Sequence, residues 1–228
     1  MLKKSTSAFT LIEMLVVMAI VIALAAAAMA ANGHMQTQTK VIKCLNNLRT
    51  IGAAAALYSA DNNGRIPQSS HQASIRDPSL KIAEWQSSLP PYMGKETESI
   101  KPPSSFKSPF TTNPTQDYSY AINDFLCRKP YGAEDLDFSY RQSVPAPGKT
   151  LFFTLTAPSY SRMDHFHFAD KEDSGYSPTA FNWQVHTNVE QKSGHYLFLD
   201  GHVEVIPWET VKKELIRPGS QFIDPRGH

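Results

Sequence analysis

The sequence predicts an α+β protein: one long N-terminal helix packed on a small antiparallel sheet that is carried in long loops. Three observations lead there. From Phe9 to Ala31 the 228-residue chain holds one charge, Glu13, and from Val41 to Tyr58 apolar residues return at spacings of three and four, so the two stretches read as one helix. Near the C-terminus, Asp200-Gly201 separates two runs of alternating β-prone residues, as a hairpin requires. The 16 prolines and many serines break much of the remainder into loops. Four stretches result: 1–8 ahead of the apolar run, 9–31 forming it, 32–64 continuing the helix, and 65–228 making a loop-rich α+β domain.

The apolar run comes first. A bilayer core of roughly 30 Å needs about 20 helical residues, and Phe9 to Ala31 supplies them. Lys3 and Lys4 stand before the run and no lysine or arginine stands within it, so the N-terminus is expected in the cytoplasm and the C-terminal domain across the membrane. A carboxylate inside such a run is costly, which makes Glu13 a functional candidate. An ordinary secretory signal, cut after Ala30 to release a soluble binding domain with Ala31 at its end, is the competing reading. It has no use for Glu13, and its apolar core is normally shorter.

The helix is expected to continue through Asn32-Gly33 with a bend and to present Val41, Leu45, Leu48, Gly52, Ala55 and Tyr58 on one face. Ala53 to Ala56 serve helix propensity or close approach of another backbone. Asp61-Asn62-Asn63-Gly64 tolerates the left-handed backbone that ends a helix, and Pro67 prevents its return. A short helix is expected around Leu80 to Ser88, with Trp85 and Leu89 facing a core and Pro90-Pro91-Tyr92 closing it. Tyr118 to Ile122 and Thr150 to Thr156 read as strands, and Ala157 to Thr179 as a polar loop. In the hairpin, a two-residue type I′ turn at Asp200-Gly201 pairs Leu199 with His202 and Phe198 with Val203. Tyr196, Phe198, Val203 and Val205 then share the face expected to meet the helix.

Net charge of +1 offers no basic field for nucleic acid. Two cysteines, Cys44 and Cys127, make no metal framework; they read as one extracytoplasmic disulfide or two buried thiols. Asp164, His165 and His167 with His186, Asp200 and His202 form a conceivable Zn²⁺ set, and a membrane-anchored metal-dependent hydrolase is the alternative function that follows from it. Their spacing matches no ligand motif. Asp164, Asp170, Glu172 and Asp173 likewise lack the regular frame of a Ca²⁺ loop. No nucleophile elbow, phosphate loop or paired-cysteine motif is present, so no catalytic residue, metal or cofactor is expected and the chain reads as a non-enzyme.

The stretch Lys3-Lys4-Ser5-Thr6-Ser7-Ala8, then Phe9-Thr10-Leu11-Ile12-Glu13, resembles the type IV prepilin signal shared by pilins and type II secretion pseudopilins. The resemblance implies that residues 1–8 are a leader removed by prepilin peptidase between Ala8 and Phe9, with Ala8 where the family usually has Gly. It implies N-methylation of Phe9, a pilin-like fold, and assembly with other pilin or pseudopilin subunits, Glu13 pairing with the amino group of a neighbour's Phe9. The implied location is the inner membrane as a single-pass protein with a periplasmic domain, then a fibre. Cys44, Asn47-Leu48-Arg49, Ile51-Gly52, Asp61-Asn62-Asn63-Gly64, Trp85 and Pro91-Tyr92-Met93-Gly94 resemble a prepilin-like subfamily with a C-terminal His, nine residues, then Asp-Gly. Here Asp200-Gly201 is present, while thirteen residues separate it from His186, the nearest match; His195 is the other candidate. In that subfamily the cysteine at the position of Cys44 often has its partner in Phe-x-Cys-Pro. This chain reads Phe106-Lys107-Ser108-Pro109, and the resemblance leaves Cys127 as the substitute.

Overall fold

The structure is a computed structural model that describes residues 9–72, 84–94, 103–110, 118–130, 135–157, 164–166, 178, 181, 185 and 192–227, without the side chains of 28 and 30–34. It contains two compact units, Met1–Ile42 and Lys43–His228. Helix α1 (Leu11–Asp61) is continuous through Asn32 and Gly33. In the first unit every described side chain from Phe9 to Ala27 is exposed, on all sides of the helix. Among the described residues no helix is long and apolar enough to cross a membrane.

The second unit is built around a five-stranded sheet of β1 (Tyr120–Asn123), β2 (Leu151–Leu155), β3 (His165–Phe166), β4 (Ser193–Phe198) and β5 (Val203–Pro207), in the order β3-β1-β2-β4-β5. The sheet is mixed, not antiparallel as the sequence suggested: β3 runs parallel to β1, with Ile122 opposite His165 and Asn123 opposite Phe166. Part of the expected polar loop is therefore a buried edge strand. The interior strands β1 and β2 are buried throughout, as strands covered on both faces must be.

One face meets the end of α1. Cys44, Leu48, Ile51, Ala54, Ala55 and Tyr58 pack with Trp85, Phe106, Phe153 and Leu197, and a methyl group at Gly52 would lie 3.0 Å from Leu197 Cδ1. Trp85 begins the short α2 (Trp85–Ser88), and both it and Leu89 are fully buried, as their spacing suggested. The helix ends where expected, with Asn63 and Gly64 at positive φ. The other face is covered by α3 (Trp208–Ile216), which buries Val211 and Leu215, and by Phe222 and Ile223 of the C-terminal segment. The Asn123 amide donates to the carbonyls of Leu151 and Ile223, both at 2.8 Å, tying two strands to that segment. The sequence reading missed α3, although Trp208, Val211 and Leu215 carry the three-and-four spacing of a helix.

The hairpin register differs by one residue from the expected one. Leu197 faces Val203 and Tyr196 faces Glu204. The connection is a three-residue loop: Gly201 N–H donates to the Phe198 carbonyl at 3.0 Å, and Gly201 alone in the turn has positive φ, whereas a type I′ turn needs it at Asp200 as well. Leu197, Leu199 and Val203 therefore face α1, while Tyr196, Phe198 and Ile206 face α3.

Cys44 and Cys127 are both buried and are not joined to each other in the structure. The Cys44 sulfur lies 3.4 Å from the Tyr120 hydroxyl, and the Ser108 hydroxyl is close enough to lower its pKa. Burial pushes the Cys44 thiol up to about 11, the two hydroxyls only partly offsetting it, so the sulfur stays protonated and unreactive at neutral pH. The partner position of the resembling subfamily is thus occupied in space by Ser108, a residue without a sulfur.

Two outcomes follow from this packing. Leu48→Ala lowers unfolding free energy by about 2–5 kcal/mol, whereas Leu57→Ala, on the exposed face, changes it by about 0.5 kcal/mol or less, measured by urea denaturation of the detergent-solubilised chain. Ser108→Cys gives an oxidised protein in which the Cys44 thiol and the introduced thiol are both lost to titration and recovered by reductant, with Cys127 still reduced.

Candidate functional site

Two parts of the chain carry candidate chemistry, and each belongs to its own unit. In the first, Thr10 and Glu13 form a capping box at the start of α1. The Thr10 N–H and hydroxyl donate to Glu13 Oε2 at 2.7 and 2.8 Å, and the Glu13 N–H donates back to Thr10 Oγ1 at 3.3 Å. The carboxylate thereby satisfies donors that the first helical turn leaves without intrahelical partners, and its charge sits at the favourable end of the helix dipole. Thr-x-x-Glu is the sequence signature of this motif, a signal the charge-pair reading of Glu13 passed over. Phe9 is exposed just ahead of the box, and Ala8 lies outside the described residues.

In the second unit the described members of the conceivable Zn²⁺ set do not come together. Asp164 and His165 are at the β3 edge of the sheet, and Asp200 and His202 belong to the β4–β5 hairpin, with β1 and β2 between. His167, His186, Asp170, Glu172 and Asp173 lie outside the described residues. Asp200 serves the turn: its Oδ1 accepts from the His202 backbone at 3.0 Å and contacts His202 Nδ1 at 2.6 Å, both residues being exposed. The His202 ring stacks on Phe198 at 4.3 Å, and Asp200 N–H donates to the Pro147 carbonyl at 3.2 Å. The Asp-Gly pair therefore shapes the hairpin tip. His195, the alternative histidine, is buried in β4 and stacks on Phe110 at 5.6 Å.

The structure gathers a different group at the β3 edge: His71, Asp124 and His165, with one ligand atom of each within 4.8 Å of the others. Asp124 directly follows β1, and its backbone N–H donates to the Phe166 carbonyl at 3.1 Å. Its buried carboxylate accepts from the Ser69 hydroxyl and from Gln72 Nε2 at 2.8 Å, and lies 3.1 Å from His71 Nδ1. The His71 and His165 rings stack at 5.3 Å. Asp164 takes the Ser70 N–H and hydroxyl, each at 2.7 Å, and lies 2.8 Å from His165 Nδ1. Burial raises the Asp164 carboxyl, but the hydrogen bonds from His165 and Ser70 outweigh it and hold the group below the usual aspartate value. Trp85 Nε1–H donates to the Asp164 carbonyl at 2.9 Å, anchoring this corner to the core. The three residues come from distant parts of the sequence and are joined by the parallel pairing of β3, the feature the sequence reading did not contain.

Among known proteins, residues 3–29 match a family model described as the prokaryotic N-terminal methylation motif. No curated protein matches the chain, and no solved structure does. The matched residues take in Phe9, the Thr10–Glu13 box and the apolar start of α1. The N-terminal segment therefore carries the prokaryotic methylation motif, which supports a prepilin-like or pseudopilin-like protein.

Proposed function

We propose that the chain is a structural subunit of a type IV pilus or type II secretion pseudopilus, working by assembly and not by catalysis. Prepilin peptidase removes residues 1–8, Phe9 is N-methylated, and the helix over 9–31 anchors the subunit in the inner membrane before it enters a fibre with other subunits. The unit Lys43–His228 is then periplasmic and becomes the fibre's outer surface. The observation carrying this reading is the coincidence of the methylation motif with a helix that is apolar on every side: Leu11, Ile12, Leu15, Ile20, Ile22 and Leu24 are all more than half exposed. A helix apolar all round needs lipid or other helices around it. The sequence run to Ala31 has the length that a bilayer core requires.

Glu13 has a defined part in this proposal. Before assembly its carboxylate caps its own helix through Thr10. In the fibre it exchanges those donors for the methylated amino group of a neighbour's Phe9, since opposite charges buried together cost far less than either buried alone.

Mass spectrometry of the mature N-terminus is the direct test: N-methyl-Phe9 is expected, and an N-terminus at Ala31 overturns the proposal in favour of a released soluble domain. Glu13→Ala leaves membrane fractionation unchanged and reduces incorporation into fibres at least tenfold on immunoblots of sheared surface or periplasmic fibre fractions. Equal incorporation of wild type and variant removes the charge pair from the mechanism.

A further inference from the structure

We propose that His71, Asp124 and His165 bind one divalent transition-metal cation of the zinc class, fastening the segment after α1 to the edge strand β3. Two imidazoles and one carboxylate have ligand atoms within 4.8 Å of one another, the span that three donors around one small cation require. The separation of 3.1 Å between His71 Nδ1 and Asp124 Oδ2 is close to that between neighbouring ligands of a tetrahedral ion. The donor set selects the metal. Imidazole with a single carboxylate suits Zn²⁺, Co²⁺ or Ni²⁺, while Ca²⁺ and Mg²⁺ call for cages of oxygen ligands.

The surroundings are those of a held site. Asp164 Oδ1 lies 2.8 Å from His165 Nδ1 and fixes the ring, so Nε2 is the nitrogen that coordinates; Asp164 is itself fixed by both donors of Ser70. This carboxylate–histidine arrangement orients a ligand and raises its basicity. Ser69 and Gln72 hold the Asp124 carboxylate in the same way. The side chains of Asp124 and His165 are buried, at 0% and 5% exposure, while that of His71 is 26% exposed, leaving a route for the ion on one side. Three protein ligands leave a fourth position for water.

The bound ion links three parts of the domain: Ser69–Gln72, which follows the end of α1, the end of β1, and β3. Its effect is to stabilise the folded unit, since the site exists only when β1 and β3 are paired. The inference is independent of the fibre assembly proposed above.

The test uses the full chain in detergent, stripped with chelator and dialysed against Zn²⁺, with metal content by elemental analysis and affinity by competition with a chromophoric chelator. Wild type is expected to retain one equivalent and to show a higher thermal midpoint with Zn²⁺ than without. Co²⁺ in its place gives the intense visible absorption of a four-coordinate site. His71→Gln and Asp124→Asn bind at least 100-fold more weakly, and Asp164→Asn, changing a positioning residue, binds about 10–100-fold more weakly. His202→Gln, at the exposed hairpin, binds as wild type does. His71 is part-exposed, so its variant separates loss of ligand from loss of fold, which the circular dichroism spectrum checks. Retention of less than a tenth of an equivalent by folded wild type overturns the proposal, as does equal binding by wild type and His71→Gln.

Discussion

The close seating of Cys44 to Tyr58 on one face of the sheet is the contact from which the rest of the second unit is built. Small residues make it possible: Gly52, Ala54 and Ala55 let helix and sheet approach until Gly52 leaves Leu197 only 3.0 Å from where a β-carbon would stand. At that separation Leu48 and Ile51 reach Trp85, Phe153 and Leu197, and apolar area leaves water along the whole interface. Trp85 then extends the order outward. Its ring meets Phe106 at 4.9 Å and Phe153 at 5.2 Å, and its indole nitrogen donates to the Asp164 carbonyl, so the polar corner inherits its position from the apolar core.

Much of this was legible in local pattern. The helix face at Leu48, Gly52, Ala55 and Tyr58, its end at Asn63-Gly64, and the burial of Trp85 and Leu89 all follow from spacing and backbone preference, which act over a few residues. The hairpin was legible in existence and not in register. Asp-Gly suits both a two-residue and a three-residue loop, and the choice between them decides which face each leucine takes. His71, Asp124 and His165 were beyond the reach of spacing, because a parallel pairing of only two residues in β3 brings them together. No local rule identifies a two-residue edge strand inside a stretch of polar residues.

Glu13 already has local partners where it stands. A lone carboxylate at the head of an apolar helix looks like a cost awaiting a partner, yet Thr10 already provides two donors and the helix dipole a favourable field. Partner exchange is then a matter of comparing hydrogen bonds with an ion pair, and the comparison turns on how dry the surroundings are. In water the local cap is adequate; in low-dielectric surroundings a full opposite charge is the better partner.

Ser108 has a consequence for how this domain is held together. Beside Cys44 it offers a hydroxyl at the position where resembling chains place a second sulfur, and the cavity is filled by hydrogen bonds and packing alone. The packing of the unit as the structure shows it therefore uses no disulfide. Such a core is indifferent to redox conditions: its packing is the same in a reducing solution and in an oxidising one.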